Sequence, residues 1–204
     1  MDRSTTRRGF LAASAAVPAV LAGCTDGSVD PEEIDTGDRP ALGSGSAPVR
    51  LTVFEDFACP ACRQFKTQLT PAIVESYVEP GHVRYLHADY PIPVDETWTY
   101  AVGSAARAVF EEAGNDAFWA FASAIYEHQN SYSYDVIESV ADEIAGVGAV
   151  ARSAAEDGTY RERLDEDRDL GDQWGVSGTP SVFVDEERVD PDPERIGSAI
   201  EERL

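Results

Sequence analysis

Lysine is nearly missing from this sequence: Lys66 is the only one among 204 residues, and arginine supplies the rest of the 16 basic side chains against 38 acidic ones. A formal net charge of −22 excludes a basic face for nucleic acid or for an anionic membrane surface. Cysteine is scarce as well, with Cys24, Cys59 and Cys62. Three histidines, His82, His87 and His128, show no paired spacing, so the four ligands of a structural zinc site are not at hand. No apolar run is long: residues 10–23 are too few to cross a hydrocarbon core of about 30 Å. Internal repeats and a dimerisation module are also missing, which points to a monomer.

What is present begins with acid. Asp and Glu are spread through every segment after residue 23 rather than gathered in a tail. A surface rich in carboxylates and almost free of lysine reads as adaptation to molar salt, where screening removes self-repulsion. Apolar content of 43% at this length predicts one globular domain with its own core.

Residues 49–54 alternate apolar and polar side chains and predict a strand. Four residues past its end come Cys59-Pro60-Ala61-Cys62, then an apolar stripe of Phe65, Leu69, Ile73 and Tyr77 at helical spacing, with a kink expected at Pro71. The cysteines thus fall where a strand hands over to the first turn of a helix. Unpaired amide N–H groups and the positive end of the helix dipole stabilise a thiolate there, so Cys59 is expected to be more acidic than a free thiol. Two intervening residues bring the sulfurs within bonding distance, and Pro60 costs nothing in a first turn. Other readings of the pair are half a zinc site, a Cu(I) site of two thiolates and a distal histidine, and a purely structural disulfide, whose short loop gains little from closure. Redox chemistry is favoured.

Elsewhere the pattern is coarser. A strand is predicted at residues 83–88. Helical periods then follow over about 95–174, including one highly charged helix at 152–172. After them Gly175-Val176-Ser177-Gly178-Thr179-Pro180 leads into a strand, a short return strand at 188–189, and a closing helix marked by Ile196, Ile200 and Leu204.

This order, with Phe54-Glu55-Asp56-Phe57-Ala58-Cys59-Pro60-Ala61-Cys62 and Gly178-Thr179-Pro180 as its carrying motifs, resembles the DsbA-like branch of the thioredoxin fold over residues 48–204. The resemblance implies an α/β thioredoxin-like fold with a helical insertion between the second strand and the Gly-Thr-Pro strand. It implies a protein thiol–disulfide oxidoreductase without metal or cofactor, in which Cys59 is the nucleophile and Cys62 the resolving thiol. Pro180 is then cis against the redox pair, and Thr179 offers backbone hydrogen bonds to a peptide. Protein thiols or disulfides are the implied substrates, with a membrane or exported redox partner; a thiol copper carrier for an exported oxidase is the alternative. Two departures stand out. The buried acid found in relatives six positions before the first cysteine is Val53 here, so Glu55 or Asp56 either replaces it through water or is plain surface charge. The acidifying histidine between the cysteines is Ala61, which makes a thiol less acidic than in the strongest oxidases.

Residues 1–23 read as an address. Thr6-Arg7-Arg8-Gly9-Phe10-Leu11 resembles a twin-arginine export signal, and Leu21-Ala22-Gly23-Cys24 resembles a lipobox, implying cleavage before Cys24 and a lipid on its sulfur. Residues 24–47 read as a flexible tether, and the resemblance implies a protein lipid-anchored on the extracytoplasmic face of the cell membrane. Cleavage takes away Asp2 and three arginines, leaving the chain more acidic still. On the salt-adapted reading, the melting temperature falls as salt is lowered from molar to about 0.1 M, because the Debye length grows and acidic faces repel. A melting temperature level across that range would refute it.

Overall fold

The structure is a computed structural model that describes residues 39–92 and 94–204. The leader, Cys24 and most of the expected tether lie outside the described residues. The alternating stretch forms β2, Val49–Glu55, at the centre of a five-stranded sheet. On one side β3, Val83–Asp89, runs parallel to it, and β1, Ala41–Leu42, adds an antiparallel edge. On the other side β4, Ser181–Val184, and β5, Glu187–Val189, are both antiparallel, for an order β1-β3-β2-β4-β5.

Alternation along β2 decides what each layer holds. Val49, Leu51 and Val53 enter the main core, whereas Phe54 meets Tyr90, Trp174 and Phe183 edge-on across the other face. The cysteine helix covers the first face as α1, Pro60–Gln64, and α2, Thr70–Ile73, each followed by a wide turn over Phe65–Leu69 and Val74–Val78. A kink is expected at Pro71. The structure instead widens the turn before it, with the Thr70 N–H bonded to Phe65 O, five residues back. A wider turn absorbs the missing N–H of Pro71 and eases its ring past the preceding carbonyls.

The helical insertion lies between β3 and β4. It comprises α3, Glu96–Ala113; α4, Asn115–Ile125, with a tight turn Tyr126–His128; α5, Tyr134–Ala145; α6, Gly148–Asp157; and α7, Arg161–Gln173. Asp95 and Ser133 cap α3 and α5 by accepting from first-turn amides. The single charged helix expected at residues 152–172 is therefore two. Gly158, at φ +61°, adopts the left-handed conformation that stops α6 and that side chains disfavour. Gly171 lets α7 approach closely: a Cβ there would sit 2.6 Å from the Tyr90 ring. The closing helix α8, Pro193–Glu201, buries Ile196 and Ile200, but Leu204 lies beyond it and is exposed.

A tether to residue 47 was expected, and this boundary is corrected: residues 39–42 belong to the domain. β1 pairs with β3, and Arg39 is buried in an ion pair with Asp167. That ion pair is one end of a buried row of alternating charges. Arg39 Nη2 lies 2.6 Å from Asp167 Oδ1, and Asp167 Oδ2 lies 2.7 Å from Arg107 Nη2. Arg107 Nε donates to Asp89 Oδ2 at 2.7 Å; Asp89 Oδ1 and Glu55 Oε2 each lie 3.1 Å from a ring nitrogen of His87. Burial alone would raise the Asp89 carboxyl, but Arg107 and His87 hold it well below the usual carboxylate range. Removing Arg107 leaves Asp89 and Asp167 facing each other in the core. Arg107→Ala should cost about 3–5 kcal/mol in denaturant unfolding. A loss within about 0.5 kcal/mol, as at an ordinary surface site, would show that the row does not hold the layers together.

Candidate active site

β2 ends at Glu55, and three residues turn the chain into the helix. Asp56 organises the turn. Its carboxylate accepts from Ala58 N–H at 2.7 Å, from Ile92 N–H at 2.8 Å and from the Thr99 hydroxyl at 3.0 and 3.1 Å, while its carbonyl accepts from Cys59 N–H at 3.0 Å. Cys59 is the N-cap, extended at φ −79° and ψ 120°, with Pro60 at the first helical position. The first helical bond runs from Arg63 N–H to Cys59 O at 3.1 Å.

The two sulfurs, both free thiols, have unlike surroundings. Cys59 is 5% exposed and Cys62 is fully buried. A hydrogen bond from Cys62, helped by Thr179 and by the Ala61 and Cys62 amides, outweighs partial burial and holds the Cys59 thiol down at about 5. Burial pushes the Cys62 thiol up, and the neighbouring Cys59 and Glu55 charges push the same way. Cys59 Sγ lies 3.4 Å from Thr179 O, and the Thr179–Pro180 peptide bond is cis. Beside Pro180 a cavity of about 330 Å³ opens between Ala61, Phe65, Leu69 and Asp192. The four residues singled out in the described chain, Cys59, Cys62, Thr179 and Pro180, therefore meet although 120 positions separate Cys59 from Thr179.

Glu55 and Asp56 are not surface charges, being 1% and 3% exposed. Glu55 is two residues beyond Val53 and so shares its face of β2, the face that carries the cysteine helix. One of its oxygens is held by His87; the other has no hydrogen-bond partner. Asp56 has both oxygens occupied, and burial raises its carboxyl to about 6, against the pull of those hydrogen bonds. Lys66, one turn past Cys62, is 5% exposed. Its Nζ has no hydrogen-bond partner, lies 3.8 Å from the centroid of the Trp119 ring, and is pushed down to about 8 by burial. That position had a legible signal, since residues four apart share a helix face. Gln129, Tyr132 and Thr99, which bond the loop around Cys59, carried none; they arrive from the insertion.

Among the described residues no three His, Cys, Asp or Glu side chains converge as a metal would require. His87, whose ring lies 5.7 Å from that of Phe57, has both ring nitrogens engaged by carboxylates, so it does not favour the copper reading. Among those residues, too, no helix is long and apolar enough to cross a membrane.

A family model described as thioredoxin matches residues 35–202. The chain is 28% identical over 173 residues to the probable disulfide bond formation protein D of Bacillus cereus, covering 81% of this chain and 79% of that one. Oxidised BdbD from Bacillus subtilis superposes with a TM-score of 0.75 at 21% identity, covering 82% of this chain and 93% of that one. DsbA from Chlamydia trachomatis does so at 0.71 and 19%, covering 80% and 88%.

Thiolate absorbance of the reduced protein should titrate near pH 5, and Cys59→Ser should abolish that step. A folded midpoint below that of an unfolded thiol means that ionised Cys59 stabilises the reduced protein. The oxidised protein has no thiol to ionise. The stability advantage of the reduced form should therefore grow as pH rises from about 5 towards 9 and vanish below 5. Melting curves of both forms at pH 4 and 8 check the sign.

Proposed function

This chain belongs to the thioredoxin family, and from that premise we propose that it is an extracytoplasmic thiol–disulfide oxidoreductase that introduces disulfides into protein substrates. The observation that carries this reading is the asymmetry of the two thiols beside cis-Pro180: an acidic Cys59 that keeps a small exposure and an unacidic Cys62 that is wholly buried. A stabilised thiolate favours the dithiol state and so makes the disulfide oxidising. The names of the relatives point the same way.

In the oxidised enzyme a substrate thiolate attacks Cys59 Sγ, the Cys59–Cys62 bond breaks, and Cys62 leaves with the electron pair and takes up a proton. A second substrate thiolate then attacks the substrate sulfur of the mixed disulfide and releases Cys59 as thiolate. Two substrate thiols become one disulfide and the enzyme becomes a dithiol, which a membrane or exported redox partner reoxidises. Glu55 stands in for the acid missing at Val53, its free oxygen exchanging the Cys62 proton through a water. The Thr179 carbonyl and the cavity beside Pro180 receive the substrate backbone and an apolar side chain. The Arg7-Arg8 leader and Cys24 support export and a lipid anchor.

Thiol exchange favours the accessible, acidic sulfur. Cys62→Ser should accumulate mixed disulfides with substrate proteins that reductant clears on a gel, and Cys59→Ser should accumulate few or none. The reversed pattern would overturn the order of the thiols, and trapping by neither would overturn thiol exchange. A reduction potential of roughly −120 to −180 mV supports the oxidising direction; one near −270 mV makes the protein a reductase.

A further inference from the structure

The Cys59 thiol forms no capping hydrogen bond of the kind that Asp95 and Ser133 supply to α3 and α5. Besides Asp56, the loop is held from the insertion. Gln129, just beyond the Tyr126–His128 turn, donates from Nε2 to Cys59 O at 2.8 Å and to Phe57 O at 3.0 Å. The Tyr132 hydroxyl donates to Phe57 O at 2.9 Å, and the Tyr126 hydroxyl reaches Asp56 O at 3.4 Å.

The two carbonyls bonded by Gln129 differ in what the bond adds. Phe57 O has Tyr132 as a second donor, so that contact chiefly fastens the insertion to the loop. Cys59 O already accepts from Arg63 N–H as the first acceptor of the helix. Gln129 is therefore not needed there to satisfy a buried carbonyl; what it contributes is direction. It fixes the plane of the peptide that follows Cys59, and that plane sets where Sγ lies relative to the Ala61 and Cys62 amides. Both hydrogens of one amide group are spent on this loop, and they come from a residue 70 positions away.

Resting on the proposed thiol chemistry, we infer that Gln129 is a positioning residue for the nucleophile, clamping the Cys59 carbonyl so that the sulfur stays seated over the first-turn amides. The insertion is then more than a cover: one side chain beyond the Tyr126–His128 turn tunes the reactivity of a sulfur 70 positions away. Tyr132, whose hydroxyl bonds Phe57 O and not Cys59 O, is a fastening and not part of this device.

The test compares Gln129→Leu, Gln129→Glu and Tyr132→Phe in the full reduced protein. It reads thiolate absorbance against pH, the rate of reaction with a small aromatic disulfide, and melting temperature. Gln129→Leu should raise the thiolate midpoint by about half a unit, an approximately threefold fall in the ratio of thiolate to thiol, as expected for about one net hydrogen bond. Gln129→Glu should raise it further, because it sets a carboxylate without N–H groups against two carbonyls. Tyr132→Phe should lower the melting temperature and leave the midpoint where it is. If both Gln129 variants change only the melting temperature, Gln129 is a structural strap and the inference fails. If Gln129→Leu does not fold, the order of Gln129→Glu against Tyr132→Phe still decides. The midpoint is readable without any protein substrate, so an unreactive parent would sink the functional reading while the shift alone judges Gln129.

Discussion

Arg107 occupies the position on which the layers of this protein depend. It lies between two buried carboxylates, Asp89 on the sheet and Asp167 on α7, and is itself anchored in α3. Around it the charges alternate from Arg39 through Asp167, Arg107, Asp89 and His87 to Glu55. Each ion has an opposite neighbour at hydrogen-bond distance, the condition under which buried charge is tolerated. Apolar packing would hold α3 and α7 against the sheet in many registers; this row permits one. It also carries the N-terminal entry of the domain, through Arg39, into the same arrangement.

The row ends beneath the redox helix. Glu55 shares the face of β2 on which Cys62 is packed, and its charge is among the causes that keep that thiol protonated. Valine at position 53 thus does not leave the region without a carboxylate. Parity brings Glu55 to the same side two residues later, and His87, paired with Val53 across the β2–β3 ladder, fixes one of its oxygens. Lys66 adds a buried ammonium one turn along the helix, covered by Trp119. In a chain whose surface is overwhelmingly acidic, the sole lysine is in the core.

Reactivity at Cys59 is the product of two restraints applied from opposite directions. From the chain itself come the strand end, the Asp56 turn and the helix start, which supply amide N–H groups to the sulfur. From elsewhere come the Thr179–Pro180 segment and the side chains of the insertion, which supply carbonyl neighbours and hold the loop carbonyls in place. The first set makes a thiolate favourable, and the second decides how far it can stray.

The cysteine pair, the central strand and its faces, and the meeting of a Gly-Thr-Pro segment with the redox pair were legible because each rests on short-range rules: side-chain alternation in a strand, spacing in a helix, and a motif order shared with a known fold. Local rules also misplaced some features. Gly158 was one glycine among 16 until its left-handed backbone split a charged helix, and Pro71 was absorbed by a wider turn instead of a kink. Tertiary structure alone decided that residues 39–42 join the sheet, that Glu55 and Asp56 are buried, and that Gln129 and Tyr132 bond the active loop. These follow from contacts across 32 to 128 positions, whose partners carry no local signature. A polar residue at the end of a helix looks the same in sequence whether it faces solvent or the carbonyl of a nucleophile. Only packing of the insertion against the loop gives it a partner.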